Sequence, residues 1–73
     1  MPLIQVKAIE GIFSAEQKTE IVKKLTDAIV SVEGEALRGF TWVVIEDVPS
    51  GAWGMGGNAI TTEQVRAIAA GGR

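Results

Sequence analysis

Cysteine and histidine are both missing from this chain of 73 residues. Without cysteine no disulfide can stabilise the fold, and without cysteine and histidine the usual ligands of a structural zinc are also absent. A domain of this length buries only roughly 60% of the surface that its unfolded chain exposes, so it is marginally stable by itself. Oligomerisation is the ordinary remedy that this composition leaves open.

The sequence also lacks a long apolar run and a basic stripe. No run approaches the roughly 18 to 20 apolar residues of a membrane span, and no basic segment followed by an apolar one marks export. The net charge is -2, and the seven lysines and arginines are scattered along the chain. These features argue against nucleic-acid and membrane partners, and the expected location is the cytoplasm.

Two segments have the residue pattern of strands. In residues 2–8 apolar and polar side chains alternate, which predicts a strand that ends near Glu10. Residues 41–48 form a continuous run that is β-branched at its centre, as in a strand covered on both faces. Glu46 and Asp47 are adjacent in this run, so their side chains are expected on opposite faces and do not form a catalytic pair.

Capping signals predict two helices. Ser14 and Gln17 have the spacing of a capping box, and Gly34 ends the helical pattern that follows them. The apolar face of this helix is expected to consist of Ile21, Val22, Leu25, Ala28, Ile29 and Val32. Thr61 and Gln64 repeat the capping spacing, which predicts a short C-terminal helix ahead of a loose tail formed by the last three residues.

The order strand, helix, strand predicts one βαβ unit with a right-handed crossover. One helix covers only one face of a two-stranded sheet, and such a sheet is marginal alone in water. We therefore expect the other face to pack on another copy of the chain. The glycine-rich segment 51–57 predicts a turn or short hairpin. The expected fold class is α/β (α+β), in a single domain over residues 1–73.

A combination of short motifs spans residues 2–57. It consists of the Met1-Pro2 start, Glu10-Gly11 followed by Glu16-Gln17-Lys18, a long helix, the strand Val43-Val44-Ile45-Glu46-Asp47 and the closing Trp53-Gly54-Met55-Gly56-Gly57. In this order and at this spacing, the chain resembles the 4-oxalocrotonate tautomerase family. The resemblance implies a βαβ subunit that dimerises into a four-stranded sheet, with the dimers assembled in threes into a homohexamer.

The resemblance further implies an isomerase that uses no cofactor and no metal. In the family, the amino-terminal proline takes a proton from a small 2-hydroxydienoate or enol carboxylate and returns it at another carbon. After removal of Met1, Pro2 would be a free secondary amine; an α-amino group has a pKa of roughly 7.7 to 8.0, which apolar surroundings lower. The expected surroundings are Leu3, residues 43–45 and Trp53, the aromatic residue that the family packs over the proline. Pro2 is thus the predicted general base and Trp53 a predicted substrate contact.

The chain departs from the family at the residues that bind the substrate carboxylates. In the family, one arginine follows the first Glu-Gly pair and another lies early in the second strand. Here residues 12–13 stand at the first of these positions, where the chain has one extra residue, and Trp42 stands at the second. Trp42 is expected to be either a packing residue or a substrate contact. Arg38 is the nearest cation that could replace these arginines, and Lys7 and Arg66 are the next candidates. The expected substrate is therefore monoanionic.

Two other functions remain open from the sequence. A related cofactor-free lyase or hydratase would use Pro2 as a protonated acid, and it would need a carboxylate to activate water, for which Glu10 is the candidate. A non-catalytic oligomer would keep only the scaffold. Dependence of turnover on the exposed proline amine would discriminate between these alternatives and the tautomerase.

Overall fold

The computed structural model describes residues 1–71. These residues form two strands with a long helix between them, and then a small hairpin and a second helix. In chain order the elements are β1 (Leu3–Ile9), α1 (Ala15–Glu33), a 3-10 helix (Glu35–Phe40), β2 (Trp42–Val48), β3 (Trp53–Met55), β4 (Asn58–Ile60) and α2 (Thr62–Gly71).

Strands β1 and β2 pair in parallel, and helix α1 forms the crossover between them, which confirms the predicted βαβ unit. The register runs from Leu3 opposite Trp42 to Ile9 opposite Val48. The pairing continues one residue before β1, because the Trp42 N–H donates to the carbonyl oxygen of Pro2 at 3.0 Å. Pro2 is therefore held at the ordered end of a strand.

The predicted capping box sets the start of α1. The Ser14 hydroxyl accepts from the Gln17 N–H at 3.1 Å, and the Gln17 side chain accepts from the Ser14 N–H at 2.8 Å. The helix ends at Gly34, whose φ of 102° lies in the region that favours glycine. The Gly34 N–H donates to the Val30 carbonyl at 2.8 Å, which closes the last turn.

The buried stripe of α1 is rotated relative to the predicted apolar face. Val30, which was not predicted to be on that face, is 5% exposed, whereas Val32, which was predicted there, is 87% exposed. Four polar residues of α1 are also half-buried, and each has a partner. Thr26 donates to the Val22 carbonyl, Glu33 accepts from the Thr41 hydroxyl, Lys18 pairs with Asp47, and Asp27 accepts from Lys23 and Arg38.

The two faces of the sheet differ in what covers them. Asp47 pairs with Lys18 of α1 at 2.8 Å, whereas Glu46 pairs with Lys7 of β1 at 2.9 Å, so the adjacent carboxylates lie on opposite faces as predicted. On the face away from α1, large apolar side chains are open to solvent. These are Leu3, Trp42 and Val44, which are 53%, 61% and 39% exposed.

The apolar core of a single chain is small. Of the described residues, the core consists of Ile9 and Val30, each 5% exposed. Burial of apolar surface is the main favourable contribution to folding, so a chain with so little of it gains much from covering its open face.

The C-terminal part follows the predicted order of hairpin and helix. Strands β3 and β4 pair antiparallel, and the Thr61 hydroxyl accepts from the Gln64 N–H at 3.2 Å to cap α2. Gly71 was predicted to be the first residue of the tail but is the last residue of α2. The other two residues of the predicted tail, 72–73, lie outside the described residues. No helix within residues 1–71 is long and apolar enough to cross a membrane.

Candidate functional site

Pro2 lies in an apolar setting at the amino-terminal end of β1. It is half-buried and lines a cavity of about 210 Å³ together with Met1, Leu3, Phe40 and Trp42. None of these five side chains carries a charge, and Met1, Leu3, Phe40 and Trp42 are each more than half exposed in the single chain. The sequence reasoning placed Leu3 beside Pro2 and missed Phe40, which lies at the end of the 3-10 helix and reaches Pro2 only through the fold.

A larger cavity of about 420 Å³ lies at the opposite end of β1. Its lining consists of β1 residues 6–9, Ile12 and Phe13 from the following loop, Trp53, Met55 and Ile60 from the hairpin, and Val65 from α2. Successive strand residues point to alternate faces, so a cavity that contacts four consecutive residues runs along the edge of the strand. This is the edge of β1 that is not paired with β2.

Pro2 and Trp53 lie at opposite ends of β1 within one chain. The strand carries the backbone about 23 Å from Pro2 to Ile9, since it rises about 3.3 Å per residue. Trp53 lines the cavity beside residues 6–9, whereas Pro2 lines the cavity beside Leu3. A single chain therefore does not bring the predicted base and its predicted aromatic neighbour together.

Arg38 is already engaged by carboxylates. Its guanidinium donates to Asp27 at 2.8 Å and to Glu35 at 3.1 and 2.9 Å. These bonds, Glu35 first and then Asp27, raise the pKa of Arg38 above its ordinary value. In return, Arg38 lowers the pKa of Glu35, while Lys23 and then Arg38 lower that of Asp27. Arg38 lines neither of the two cavities described above.

The two further candidate cations have different surroundings. Lys7 pairs with Glu46 at 2.9 Å and also lines the larger cavity. Arg66 lies on α2, and its guanidinium donates to the Gly11 carbonyl at 2.8 Å. Helix α2 thus contacts the β1–α1 loop, where the family carries its first arginine and this chain carries Ile12.

Glu10, the candidate for activating water, has a role in the local structure. Its carboxylate accepts from the Ser50 N–H at 2.8 Å, and its carbonyl accepts from the Thr62 hydroxyl at 2.6 Å. The residue therefore joins the loop after β2 and the start of α2 to the end of β1. Within the described part of the chain, no three His, Cys, Asp or Glu side chains are grouped as a metal ion would need.

The sequence matches a known family model over most of its length. Residues 2–63 match the family described as "Tautomerase enzyme". Among individual proteins, the chain is similar to a probable tautomerase of Ralstonia nicotianae, with 44% identity over 57 residues, which cover 78% of this chain and 79% of the relative.

The fold is similar to solved structures of the same kind. A 4-oxalocrotonate tautomerase homologue superposes with a TM-score of 0.72 and 29% identity, covering 81% of this chain and 90% of the other. A structure from a study of 4-oxalocrotonate tautomerase isozymes of Methylibium petroleiphilum superposes with a TM-score of 0.70 and 33% identity, covering 88% of this chain and 97% of the other.

Proposed function

Because the chain belongs to the tautomerase family and is an isomerase, we propose that it converts a small enol or 2-hydroxydienoate carboxylate to its keto form without a cofactor. The general base is the amine of Pro2 after Met1 has been removed. The observation that carries this proposal is the setting of Pro2, which is fixed by the Trp42 N–H on its carbonyl and surrounded by uncharged side chains.

The proposed reaction is a proton transfer through one nitrogen. The neutral amine takes the proton of the enol hydroxyl, the oxygen becomes a carbonyl, and the resulting ammonium returns the proton to a carbon of the conjugated system. A neutral base is needed at the start, and the uncharged lining favours it. General acid-base catalysis of this kind contributes roughly 10² to 10⁴-fold, so positioning of the substrate supplies the remainder.

The proposed site needs two copies of the chain. The unpaired edge of β1 lets two copies pair antiparallel about a two-fold axis through the middle of the strand, which makes a four-stranded sheet. Pro2 of one copy then lies opposite the Glu10 end of the other, beside the larger cavity and Trp53. This pairing is supported by the position of the larger cavity along that edge.

The other predicted contacts fit this arrangement to different degrees. Trp53 is proposed to cover the substrate, because it lines the cavity beside the second copy's proline. Trp42 shares the cavity of its own Pro2 and is proposed to pack against it. A further proposal is that the sheet faces carrying Leu3 and Val44 are covered when the dimers associate into a hexamer.

The assignment of Arg38 stays a prediction with a direct test. To bind a substrate carboxylate, its guanidinium would have to exchange Asp27 or Glu35 for the substrate. If it does so, Arg38→Ala raises KM for the carboxylate substrate. An unchanged KM, measured on a variant with unaltered circular dichroism, removes Arg38 from the site.

The proposed function is tested with two enols of different charge. Protein whose free Pro2 terminus has been confirmed by mass is added to phenylenolpyruvate and to 2-hydroxymuconate, and ketonisation is followed by ultraviolet absorbance. We expect acceleration over buffer, with a higher kcat/KM for the monoanion, phenylenolpyruvate. Folded, Met1-free protein that accelerates neither reaction would refute the proposal.

The lyase or hydratase alternative has less support. It depends on a carboxylate that activates water, and the Glu10 carboxylate already accepts a backbone N–H from Ser50 at 2.8 Å. The non-catalytic alternative is addressed by the same ketonisation assay.

A further inference from the structure

Within residues 1–71, almost all lysine and arginine side chains are paired with carboxylates. Five of them form ion pairs, which are Lys7 with Glu46, Lys18 with Asp47, Lys23 with Asp27, Lys24 with Glu20, and Arg38 with Asp27 and Glu35. Among the lysines and arginines of residues 1–71, Arg66 is the one that has no carboxylate partner. Its one hydrogen bond goes to the Gly11 carbonyl, and a guanidinium has five N–H donors.

The backbone beside Arg66 is shaped to admit its side chain. Gly11 has a φ of 79°, and a Cβ placed on it would lie 3.1 Å from a guanidinium nitrogen of Arg66 and 3.2 Å from the Thr62 methyl group. A side chain at this position would therefore require the Arg66 guanidinium and the Thr62 methyl group to shift. The glycine thus allows the guanidinium to lie against the backbone at the point where β1 ends.

This position adjoins the larger cavity. Gly11 directly precedes Ile12 and Phe13, which line that cavity, and Val65, the residue before Arg66, lines it from the other side. The lining residues of the β1–α1 loop and the hairpin are apolar and supply no cation. Lys7 of β1 also lines this cavity, but its ammonium is paired with Glu46 at 2.9 Å, so Arg66 is the cation beside this space that has no carboxylate partner.

We propose that Arg66 binds the carboxylate of the substrate at the edge of the larger cavity, so that α2 supplies the group that selects an anionic substrate. This inference rests on the proposed function. A guanidinium binds a carboxylate through two parallel hydrogen bonds, and the apolar lining accommodates an unsaturated or aromatic body. A single cation without a carboxylate partner favours a substrate with one carboxylate, since Lys7 is already paired with Glu46. In the antiparallel dimer, the Pro2 amine of the second copy lies at the same end of the cavity.

Arg66→Gln tests this inference, because glutamine keeps an N–H donor for the Gly11 carbonyl and removes the charge. Loss of a charge-assisted contact is expected to raise KM for phenylenolpyruvate by about 10 to 100-fold, with kcat changed by less than about 3-fold. KM for the methyl ester of phenylenolpyruvate, which has no carboxylate, is expected to stay the same. Arg66→Lys is expected to restore part of the affinity.

Binding of a stable carboxylate gives a readout that does not depend on turnover. Titration calorimetry with cinnamate is expected to show a Kd about 10 to 100-fold higher for Arg66→Gln than for the parent protein, while cinnamamide binds both equally. If the protein fails to catalyse ketonisation but this difference is found, the proposed function fails and the role of Arg66 stands. If ketonisation occurs without this difference, the inference about Arg66 fails alone.

Two matched control variants distinguish a role of Arg66 in substrate binding from a role in holding α2 in place. Thr62→Val removes the hydroxyl that donates to the Glu10 carbonyl and leaves Arg66 intact, whereas Lys24→Gln makes the same change of charge on the exposed surface of α1. Neither is expected to raise KM. A Thr62→Val variant with a KM as high as that of Arg66→Gln would overturn the proposal, since Arg66 would then only hold α2 in place. Equal losses for the acid and the ester would overturn it as well.

Discussion

Retention of Met1 is expected to lower kcat/KM for ketonisation by about 10² to 10⁴-fold, the usual contribution of a positioned acid-base group. The reason is chemical, because the nitrogen of an acylated proline is a tertiary amide with no basic lone pair. Pro2 keeps its hydrogen bond from Trp42, and Met1, which is 80% exposed, stays in the lining of the Pro2 cavity. Retention of Met1 is therefore expected to lower kcat through loss of the base.

The measurement starts from one preparation that still carries Met1. Treatment with a methionine aminopeptidase converts it stepwise, and mass spectrometry gives the fraction with a free Pro2. Activity is expected to rise in proportion to that fraction. A Met1-bearing sample with the full rate would contradict the assignment of Pro2 as the base, whatever the identity of the substrate.

The same mechanism fixes the sign of the pH dependence. The base must be neutral, so kcat/KM falls as the pH drops through the pKa of the free amine and reaches a plateau above it. The groups that line Pro2 within its own chain are uncharged. From the second copy of the proposed dimer, Arg66 and Lys7 would lower the amine pKa and Glu10 would raise it. Arg66→Gln is therefore expected to shift the profile to higher pH.

Val44→Lys is expected to dissociate the proposed hexamer and unfold the chain at micromolar concentration. Val44 lies on the sheet face that α1 does not cover, and a lysine there would carry its charge into the proposed contact between copies. The effective cost of removing a charge from water is several kcal/mol. A single chain has little to offset this cost, because its buried core consists of Ile9 and Val30 among the described residues.

Val32→Lys is the matched control for this prediction. It makes the same substitution on α1, where Val32 is 87% exposed, and lysine is at least as good a helix former as valine. Sedimentation velocity gives the oligomeric state, and far-ultraviolet circular dichroism gives the folded fraction. A folded monomer of Val44→Lys would refute the link between assembly and folding, and an intact oligomer would refute the placement of the contact.

The local elements of this fold follow from the sequence, because the interactions that define them join residues close in the chain. Ser14 and Gln17 are three residues apart and cap α1 as predicted, and Thr61 and Gln64 do the same for α2. The two-residue period of β1 and the β-branched run at the centre of β2 likewise predict strands, because both patterns are read from neighbouring residues.

The rotation of α1 was not predictable from its apolar residues alone. Thr26 donates to the Val22 carbonyl of its own helix, but Glu33 and Lys18 have partners outside α1, in Thr41 and Asp47, and Val32 is left in solvent. An uncompensated polar group would be excluded from the half-buried face, so the position of that face depends in part on residues outside the helix.

The sequence by itself determined the family, the βαβ order and the candidate base, since these depend on residue types and on spacing along the chain. Only the tertiary structure decided which side chains meet. It separates Pro2 from Trp53 by the length of β1, engages Arg38 with Asp27 and Glu35, and places Arg66 against Gly11. The physical reason is that contacts between distant segments depend on how the elements pack, and no local pattern encodes that packing.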